Sequence, residues 1–172
     1  LEESCVEKIE EAIPAGSRFA GKIKPYAAAA TSEVVRALHD AAAEGSIDAK
    51  LGITISNAGF FANQGRDIAG IRLTVPDIDL ILSQVSVGFL KVENMEMESS
   101  FIFHYVNALN HRAYANKPCY RAGAVCPAIA NRRQNTFAAH YEEDTRNSLR
   151  MILRAFETLN AADADAAGAA EA

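Results

Sequence analysis

Residues 50–56, KLGITIS, are the feature that most constrains the fold of this chain. Their β-branched and apolar side chains predict a strand, which runs into Asn57 and a glycine-bearing loop. A second strand is predicted at residues 89–95, and helical patterns occupy residues 32–44 and the region that starts near Glu98. Strands that alternate with helices predict a three-layer α/β architecture, with a sheet that is largely buried between helices.

The remaining segments follow the same patterns. Residues 1–13 and about 77–87 predict short helices, and the apolar run at residues 121–130 predicts a strand, although Pro127 argues against a regular ladder there. A last helix is predicted at about residues 142–159. Residues 1–160 are therefore expected to belong to a single domain.

Two of these helices carry apolar residues that we expect to face inward, and the end of the chain is of low complexity. The inward positions are Phe101, Ile102, Tyr105, Val106 and Leu109 in the helix after Glu98, and Leu149, Ile152, Leu153 and Phe156 in the last helix. The alanine-rich residues 161–172 predict a disordered tail.

Composition and charge exclude several classes of protein. The chain has 172 residues, of which 49% are hydrophobic, so it can form a packed core and is not expected to be disordered. Its 17 basic and 22 acidic residues give a net charge of -5, which disfavours binding to nucleic acid. No apolar run approaches the roughly 18–20 residues that span a bilayer, so we expect no membrane protein.

The cysteines and histidines do not predict a metal site. Cys5, Cys119 and Cys126 are irregularly spaced and form no CxxC pair, so reduced structural thiols in a cytoplasmic protein are expected. The four histidines are scattered and form no HExxH motif. The chain opens at Leu1 on an acidic helical pattern without the features of a signal peptide, which suggests a fragment or a processed product.

The loop after the first strand carries an aromatic, an amide and a guanidinium within a few residues. Phe60 can stack on a flat polar heterocycle, while Gln64 and Arg66 supply hydrogen-bond donors and an acceptor to its edge. The alternative is a structural loop, in which the phenylalanines fill the core and Arg66 pairs with a carboxylate. Loops at the ends of strands are where open α/β sheets place their ligands.

Two further segments also follow predicted strands. In the first, Glu96 and Glu98 can accept hydrogen bonds from vicinal hydroxyls, with Met97 against an apolar sugar face, or the acids can instead cap a helix. In the second, Ile129 and Ala130 precede the pair Arg132-Arg133, whose guanidinium groups either reach into a pocket or lie in solvent at its rim.

Taken in order, these three segments resemble the C-terminal part of the nucleoside phosphorylases of the uridine-phosphorylase branch. The residues that carry the resemblance are the FxxxQGR loop of Phe60, Gln64, Gly65 and Arg66, the MEMESS segment at 95–100, and RAGAVCPAIANR at 121–132. The resemblance covers about residues 24–160. It implies the three-layer α/β fold of that family, with a central mixed sheet flanked by helices.

The resemblance also implies roles for individual residues. Gln64 and Arg66 would hold the uracil edge, with Phe60 packed on the nucleoside. Glu96, Met97 and Glu98 would hold the ribose, with Glu98 on its hydroxyls. Ile129 and Ala130 would line the base pocket, supported by Arg132, and the catalytic pair would be Arg66 and Glu98. Asn131-Arg132 stands where purine-specific relatives carry a Ser-Asp pair, which favours a pyrimidine base.

Partners and cofactors follow from the same resemblance. Family subunits have an N-terminal half with a Gly-rich loop and phosphate-binding arginines, and these 172 residues contain no counterpart of it. We therefore expect the chain to work with such an N-terminal half, in a homo-oligomer built from dimers, with inorganic phosphate as co-substrate and no metal or organic cofactor. The alternatives are a purine nucleoside phosphorylase, a nucleosidase that uses water, or an inactive nucleoside-binding relative.

Overall fold

A computed structural model of the chain describes residues 2–18, 20–22, 24–59, 61–66, 68–70, 73–112, 120–131 and 133–170. Helices and strands are mixed, which confirms the general α/β class. The elements in chain order are α1 (Glu2–Ala12), α2 (Ser32–Glu44), β1 (Ile53–Ser56), a 3₁₀ helix (Ala62–Gln64), α3 (Ile78–Ser83), β2 (Ser86–Val87), β3 (Leu90–Glu96), α4 (Ser99–Arg112), β4 (Ala130–Asn131), β5 (Thr136–Phe137) and α5 (Tyr141–Ala170). None of the helices in the described ranges combines the length and apolar character needed to cross a membrane.

The chain forms two compact units, which are described separately. The first unit consists of Leu1–Ala28 and Leu51–Ile102, and the second of Ala29–Lys50 and Phe103–Ala172. Whether the chain up to residue 160 is part of one phosphorylase domain stays a prediction, as does the three-layer arrangement.

The sheet of the first unit is small and mixed. Its strand order is β1-β3-β2, with β1 parallel to β3 and β2 antiparallel to β3. Gly88, at a φ of 60°, turns the chain between β2 and β3, so residues 86–87 pair with β3 instead of extending α3 to the predicted residue 87. The described strand residues are half-buried or exposed, so the prediction of a largely buried sheet is wrong for them.

The core of the first unit lies between α1, α3 and the sheet. Cys5 and Ile9 of α1, and Ile13 directly after it, follow each other at a spacing of four residues and cluster with Val75, Leu82 and Val85. Half-buried side chains of β1 and β3, among them Ile55, Val92 and Met95, pack against this cluster. Leu82 and Val85 are 5% and 1% exposed.

The second unit is built on the contact between α2 and α5. Small side chains of α2 (Ala37, Ala41 and Ala42) and Leu38 pack against Met151 and Ala155 of α5. At the surface, Arg154 Nε donates to Glu44 at 2.9 Å, and Arg121 makes a bidentate contact with Asp163. Exposed ion pairs contribute little to stability, so the apolar contact holds the two helices together.

Several sequence predictions are wrong in this unit and in α4. The run 121–130 forms a strand only at its last residue, while Gly123 packs against α2 so closely that a Cβ there would lie 2.6 Å from Val34 Cγ1. The expected inward faces are mostly in solvent, since Phe101, Ile102, Tyr105, Leu149, Leu153 and Phe156 are each about half exposed or more. Met151 and Ala155 are buried instead because small residues on α2 allow only a narrow, close contact.

The secondary structure of the alanine-rich end of the chain also differs from the predicted one. Residues 161–170, expected to be disordered, continue α5 to Ala170. Alanine has the highest helix propensity of all residues, and a helix already formed by tertiary contacts can be extended at little further cost. The exposed last turns of α5 are therefore maintained by local propensity.

Candidate functional site

The parallel pairing of β1 and β3 places the strand ends that precede two of the three predicted segments next to each other. Ser56 and Glu96 are the last residues of these strands and are partners in register. The backbone N–H of Asn57 donates to the carbonyl oxygen of Glu96 at 3.0 Å, which extends the pairing by one residue. The loop that carries Gln64 and Arg66 and the segment that carries Met97 and Glu98 therefore begin at adjacent points on one edge of the sheet.

The loop after β1 is ordered by the side chain of Asn57. Its Nδ2 donates to the carbonyl oxygen of Asn63 at 3.0 Å, and its Oδ1 accepts from the N–H of Gly59 at 3.2 Å. Gly65 ends the following 3₁₀ helix in the left-handed conformation, with a φ of 74°. A Cβ at Gly65 would lie 3.1 Å from Asp79 Oδ1, so this turn sits against the start of α3.

Gln64 and Arg66 lie on either side of that glycine. Gln64 is buried, with 6% of its surface exposed, and Arg66 is half-buried. The guanidinium carbon of Arg66 lies 5.4 Å from the centre of the Phe61 ring, a distance at which the cation and the ring attract each other. Phe61 is 54% exposed, so the interpretation that both phenylalanines fill the core is wrong for this one. Phe60 lies outside the described residues.

The carboxylate of Glu96 accepts hydrogen bonds from the chain on both oxygens. Its Oε1 accepts from the hydroxyl of Ser56, and its Oε2 accepts from the backbone N–H groups of Glu98 and Ser99, each at 2.7 Å. Ser99 and Ser100 begin α4, whose first N–H groups have no partner inside the helix. The capping interpretation of this acidic segment therefore describes Glu96, whereas its role toward a substrate stays a prediction.

Ser56 completes this cap from the neighbouring strand. Its Oγ accepts from the N–H of Ser100 at 2.9 Å and lies 3.5 Å from the Oγ of Ser99, which is 4% exposed. The hydroxyl of Tyr26 lies 3.4 Å from that of Ser100. The last side chains of two strands thus supply acceptors to consecutive N–H groups at the start of one helix.

The hydrogen bonds also fix the charge of Glu96. Partial burial disfavours the ionised form, but the bonds from the Ser56 and Ser99 side chains and from the backbone N–H groups of Ser99 and Glu98 outweigh it, so the pKa of Glu96 is lowered. Glu96 is therefore a carboxylate at neutral pH, and a negative charge at the start of a helix is favourable.

Met97 and Glu98 form the turn between β3 and α4 and both are exposed. The backbone of Glu98 is held at both ends, since its N–H donates to Glu96 and its carbonyl oxygen accepts from Ile102 at 3.3 Å. No described residue donates a hydrogen bond to its carboxylate. Glu98 thus combines a fixed backbone with a carboxylate that is open to solvent, which suits a group that accepts hydrogen bonds from a ligand.

The third predicted segment lies in the second unit. Ile129 is 51% exposed, and Ala130 pairs with Phe137 in the two-stranded ladder of β4 and β5. The Oδ1 of Asn131 accepts from the N–H of Gln134 at 3.1 Å, which holds the turn between these strands. Arg132 lies outside the described residues. The roles of Ile129, Ala130 and Arg132 in a base pocket stay predictions.

Ser56 and Asn57 are the residues that sequence reasoning missed. A signal was present, since a serine and an asparagine directly follow the β-branched residues of a predicted strand, where polar side chains organise turns. Their specific partners depend on which strand lies beside β1, and the sequence does not give that pairing.

Neither a group of metal ligands among the described residues nor a known relative identifies the site. In the described part of the chain, no three His, Cys, Asp or Glu side chains are grouped closely enough to hold a metal ion. Comparisons with protein-family models, with curated proteins and with solved structures found no match to this chain. The likeness to the nucleoside phosphorylases therefore depends on the three sequence segments alone and stays a prediction.

Proposed function

We propose that this chain carries the base- and ribose-binding part of a uridine phosphorylase. The observation that carries the proposal is the parallel pairing of β1 with β3, in which Ser56 and Glu96 are in register. Because of this pairing, the loop that contains Gln64 and Arg66 and the turn formed by Met97 and Glu98 follow two adjacent strand ends of the sheet. A nucleoside needs a group that binds its base close to a group that binds its ribose, because one bond joins the two parts, and neighbouring strand ends favour such an arrangement.

The proposed reaction is phosphorolysis of uridine to uracil and ribose 1-phosphate. An oxygen of inorganic phosphate attacks the anomeric carbon of ribose, and the C–N glycosidic bond breaks as the new C–O bond forms. The bond's electron pair leaves with uracil, which takes up one proton to balance the proton that the attacking phosphate loses. The sugar passes through a transition state with oxocarbenium character, as in other glycosyl transfers.

The chain's own residues would act on the two charges that develop in this transition state. Donors on Arg66 and Gln64 aimed at the uracil edge stabilise the negative charge of the leaving base more strongly than the neutral ground state. The contact of Arg66 with the exposed Phe61 ring restricts the guanidinium. The open carboxylate of Glu98 would accept hydrogen bonds from the ribose hydroxyls and favour the cationic sugar.

The proposal extends to partners and place in the cell. Phosphate is a co-substrate, bound by an N-terminal half of the same subunit, and no metal or organic cofactor takes part. The enzyme would work in the cytoplasm, in pyrimidine salvage, as a homo-oligomer built from dimers.

Binding tests the proposal on the chain as it stands, because base and ribose recognition do not require the phosphate site. Isothermal titration calorimetry of the 172-residue chain with uridine, uracil and inosine should show binding of uridine and uracil and a preference over inosine. Failure to bind either pyrimidine ligand, or a preference for inosine, would contradict it.

A turnover assay separates the related activities. Release of uracil from uridine, followed by chromatography with and without phosphate, should require phosphate wherever turnover is observed. Release without phosphate indicates a nucleosidase that uses water, and turnover of inosine indicates a purine nucleoside phosphorylase. Binding of uracil with no turnover by the complete subunit indicates an inactive nucleoside-binding relative.

A further inference from the structure

We infer that Ser56 is a positioning residue: together with Glu96 it fixes the start of α4 and thereby holds the Glu98 carboxylate where the ribose is bound. The inference rests on the proposed function, since Glu98 is taken as the ribose-binding residue. Ser56 and Glu96 themselves would not contact the substrate.

The first step is that Ser56 bridges the two elements that flank Glu98. Its hydroxyl donates to the Glu96 carboxylate at the end of β3 and accepts from the N–H of Ser100 in the first turn of α4, at 2.9 Å. A serine hydroxyl has one donor and two acceptor lone pairs, so it can make both bonds at once. Ser56 therefore ties the strand before Glu98 to the helix after it.

The second step is that Glu96 is already committed to the chain. Its two oxygens accept hydrogen bonds from the Ser56 hydroxyl and from the backbone N–H groups of Glu98 and Ser99. To bind a ribose hydroxyl, Glu96 would have to release at least one of them and leave an N–H at the helix start without a partner. The neighbouring Glu98 carboxylate needs no such exchange, since no described residue hydrogen-bonds to it.

The third step is that one backbone N–H links Glu96, which caps α4, to Glu98, the proposed ribose-binding residue. The N–H of Glu98 itself donates to Glu96 at 2.7 Å, so the direction of the Glu98 side chain depends on the position of that carboxylate. Without the Ser56 hydroxyl, Glu96 loses the bond that orients its Oε1, and the turn gains freedom. A side chain displaced by about 1 Å from its productive position can cost a large part of its effect.

The experiment compares ligands with and without ribose. Calorimetry of Ser56→Ala should give a dissociation constant for uridine about tenfold higher than that of the parent chain, which corresponds to the free energy of losing one helix N-cap. The dissociation constant for uracil should stay unchanged within about twofold. Ser56→Thr keeps the hydroxyl and should restore uridine binding. Ser83→Ala, which removes an exposed hydroxyl bonded to Leu80 in the same unit, should change neither constant.

A second measurement tests, without any ligand, whether Ser56 protects the backbone N–H groups at the start of α4. Amide hydrogen exchange of Ser100 and Glu98, followed by nuclear magnetic resonance, should be faster in Ser56→Ala by about fivefold or more and normal in Ser56→Thr. Unchanged exchange, or equal weakening of uridine and uracil in Ser56→Ala, overturns the inference. A parent chain that binds neither ligand overturns the proposed function instead, while the exchange rates still decide whether Ser56 holds the turn.

Discussion

Ser56 and Glu96 end two parallel strands in register, and the hydroxyl of one donates to the carboxylate of the other. This pair joins the sheet to the start of α4 and separates the roles of the two acids in the MEMESS segment. The carboxylate of Glu96 accepts hydrogen bonds from other residues of the chain, whereas the carboxylate of Glu98 is exposed to solvent.

Glu96→Gln should lower the free energy of unfolding at pH 7 by about 1 kcal/mol, because the amide is a weaker acceptor and carries no charge to favour the helix start. The pKa of Glu96 is lowered in the folded chain, so its stabilisation is present above the ordinary glutamate pKa and is lost as pH falls through the lowered value. Urea titrations from about pH 7 to pH 3 should therefore show the gap between parent and variant closing toward low pH.

Glu7→Gln is the matched control for this measurement. Glu7 is exposed on α1 in the same unit, so its replacement should change stability by less than about 0.5 kcal/mol. A gap between parent and Glu96→Gln that stays constant over this pH range would show that the charge of Glu96 does not contribute to the cap.

Arg66→Ala should reduce uridine phosphorolysis by the complete subunit by about 100–1000-fold, the usual effect of removing one donor aimed at developing charge. Arg66→Lys keeps the charge but loses the planar fork of donors, so we expect it to recover only a small part of the rate. Steady-state kinetics with uridine check this, and a near-normal kcat/KM in Arg66→Ala would contradict the role assigned to this residue.

Gly65→Ala should lower the free energy of unfolding by about 1–2 kcal/mol, because alanine is strained at a φ of 74°. Its Cβ would also lie 3.1 Å from Asp79 Oδ1, so the turn between Gln64 and Arg66 must shift. Gly70→Ala is the control: Gly70 has a φ of 79°, and no described atom lies within 4 Å of the added Cβ.

The two glycine variants separate strain from displacement. Both should lose similar stability by thermal unfolding if strain alone matters, but only Gly65→Ala should also weaken uracil binding by calorimetry. Equal uracil affinity in the two variants would mean that the turn at Gly65 does not position Gln64 and Arg66 for the base.

The elements were predictable where local signals were strong. The helix at 32–44 is confirmed, and the strand predicted at 50–56 is confirmed over residues 53–56, because helical periodicity in the one and β-branched residues in the other are strong local signals. The faces of α4 and α5 were not predictable from periodicity. Phe101 and Phe156 have the right spacing for a core but are exposed in this structure, because burial depends on which surfaces meet and not on the helix alone.

The segments of the candidate site could be named from the sequence, but the hydrogen bonds between them could not. The positions of Gln64, Arg66, Glu96 and Glu98 after strands indicated a ligand-binding edge, and the sequence allowed Glu96 either to cap a helix or to bind a sugar. Only the pairing of β1 with β3 shows that Ser56 meets Glu96. Such a contact joins residues forty positions apart, and no local rule specifies it.

The last prediction concerns the small residues of the segment 121–126, which pack closely without forming a strand. Gly123→Ala should lower the free energy of unfolding by about 1–3 kcal/mol, because the new methyl group would lie 2.6 Å from Val34 Cγ1 in α2. Val34→Ala removes that methyl group, so the double variant Gly123→Ala with Val34→Ala should lose less stability than the sum of the two single variants. Urea unfolding of the four proteins in a double-mutant cycle measures this coupling. Additive losses would show that Gly123 is not there to admit Val34, and that the small residues of this segment serve another purpose.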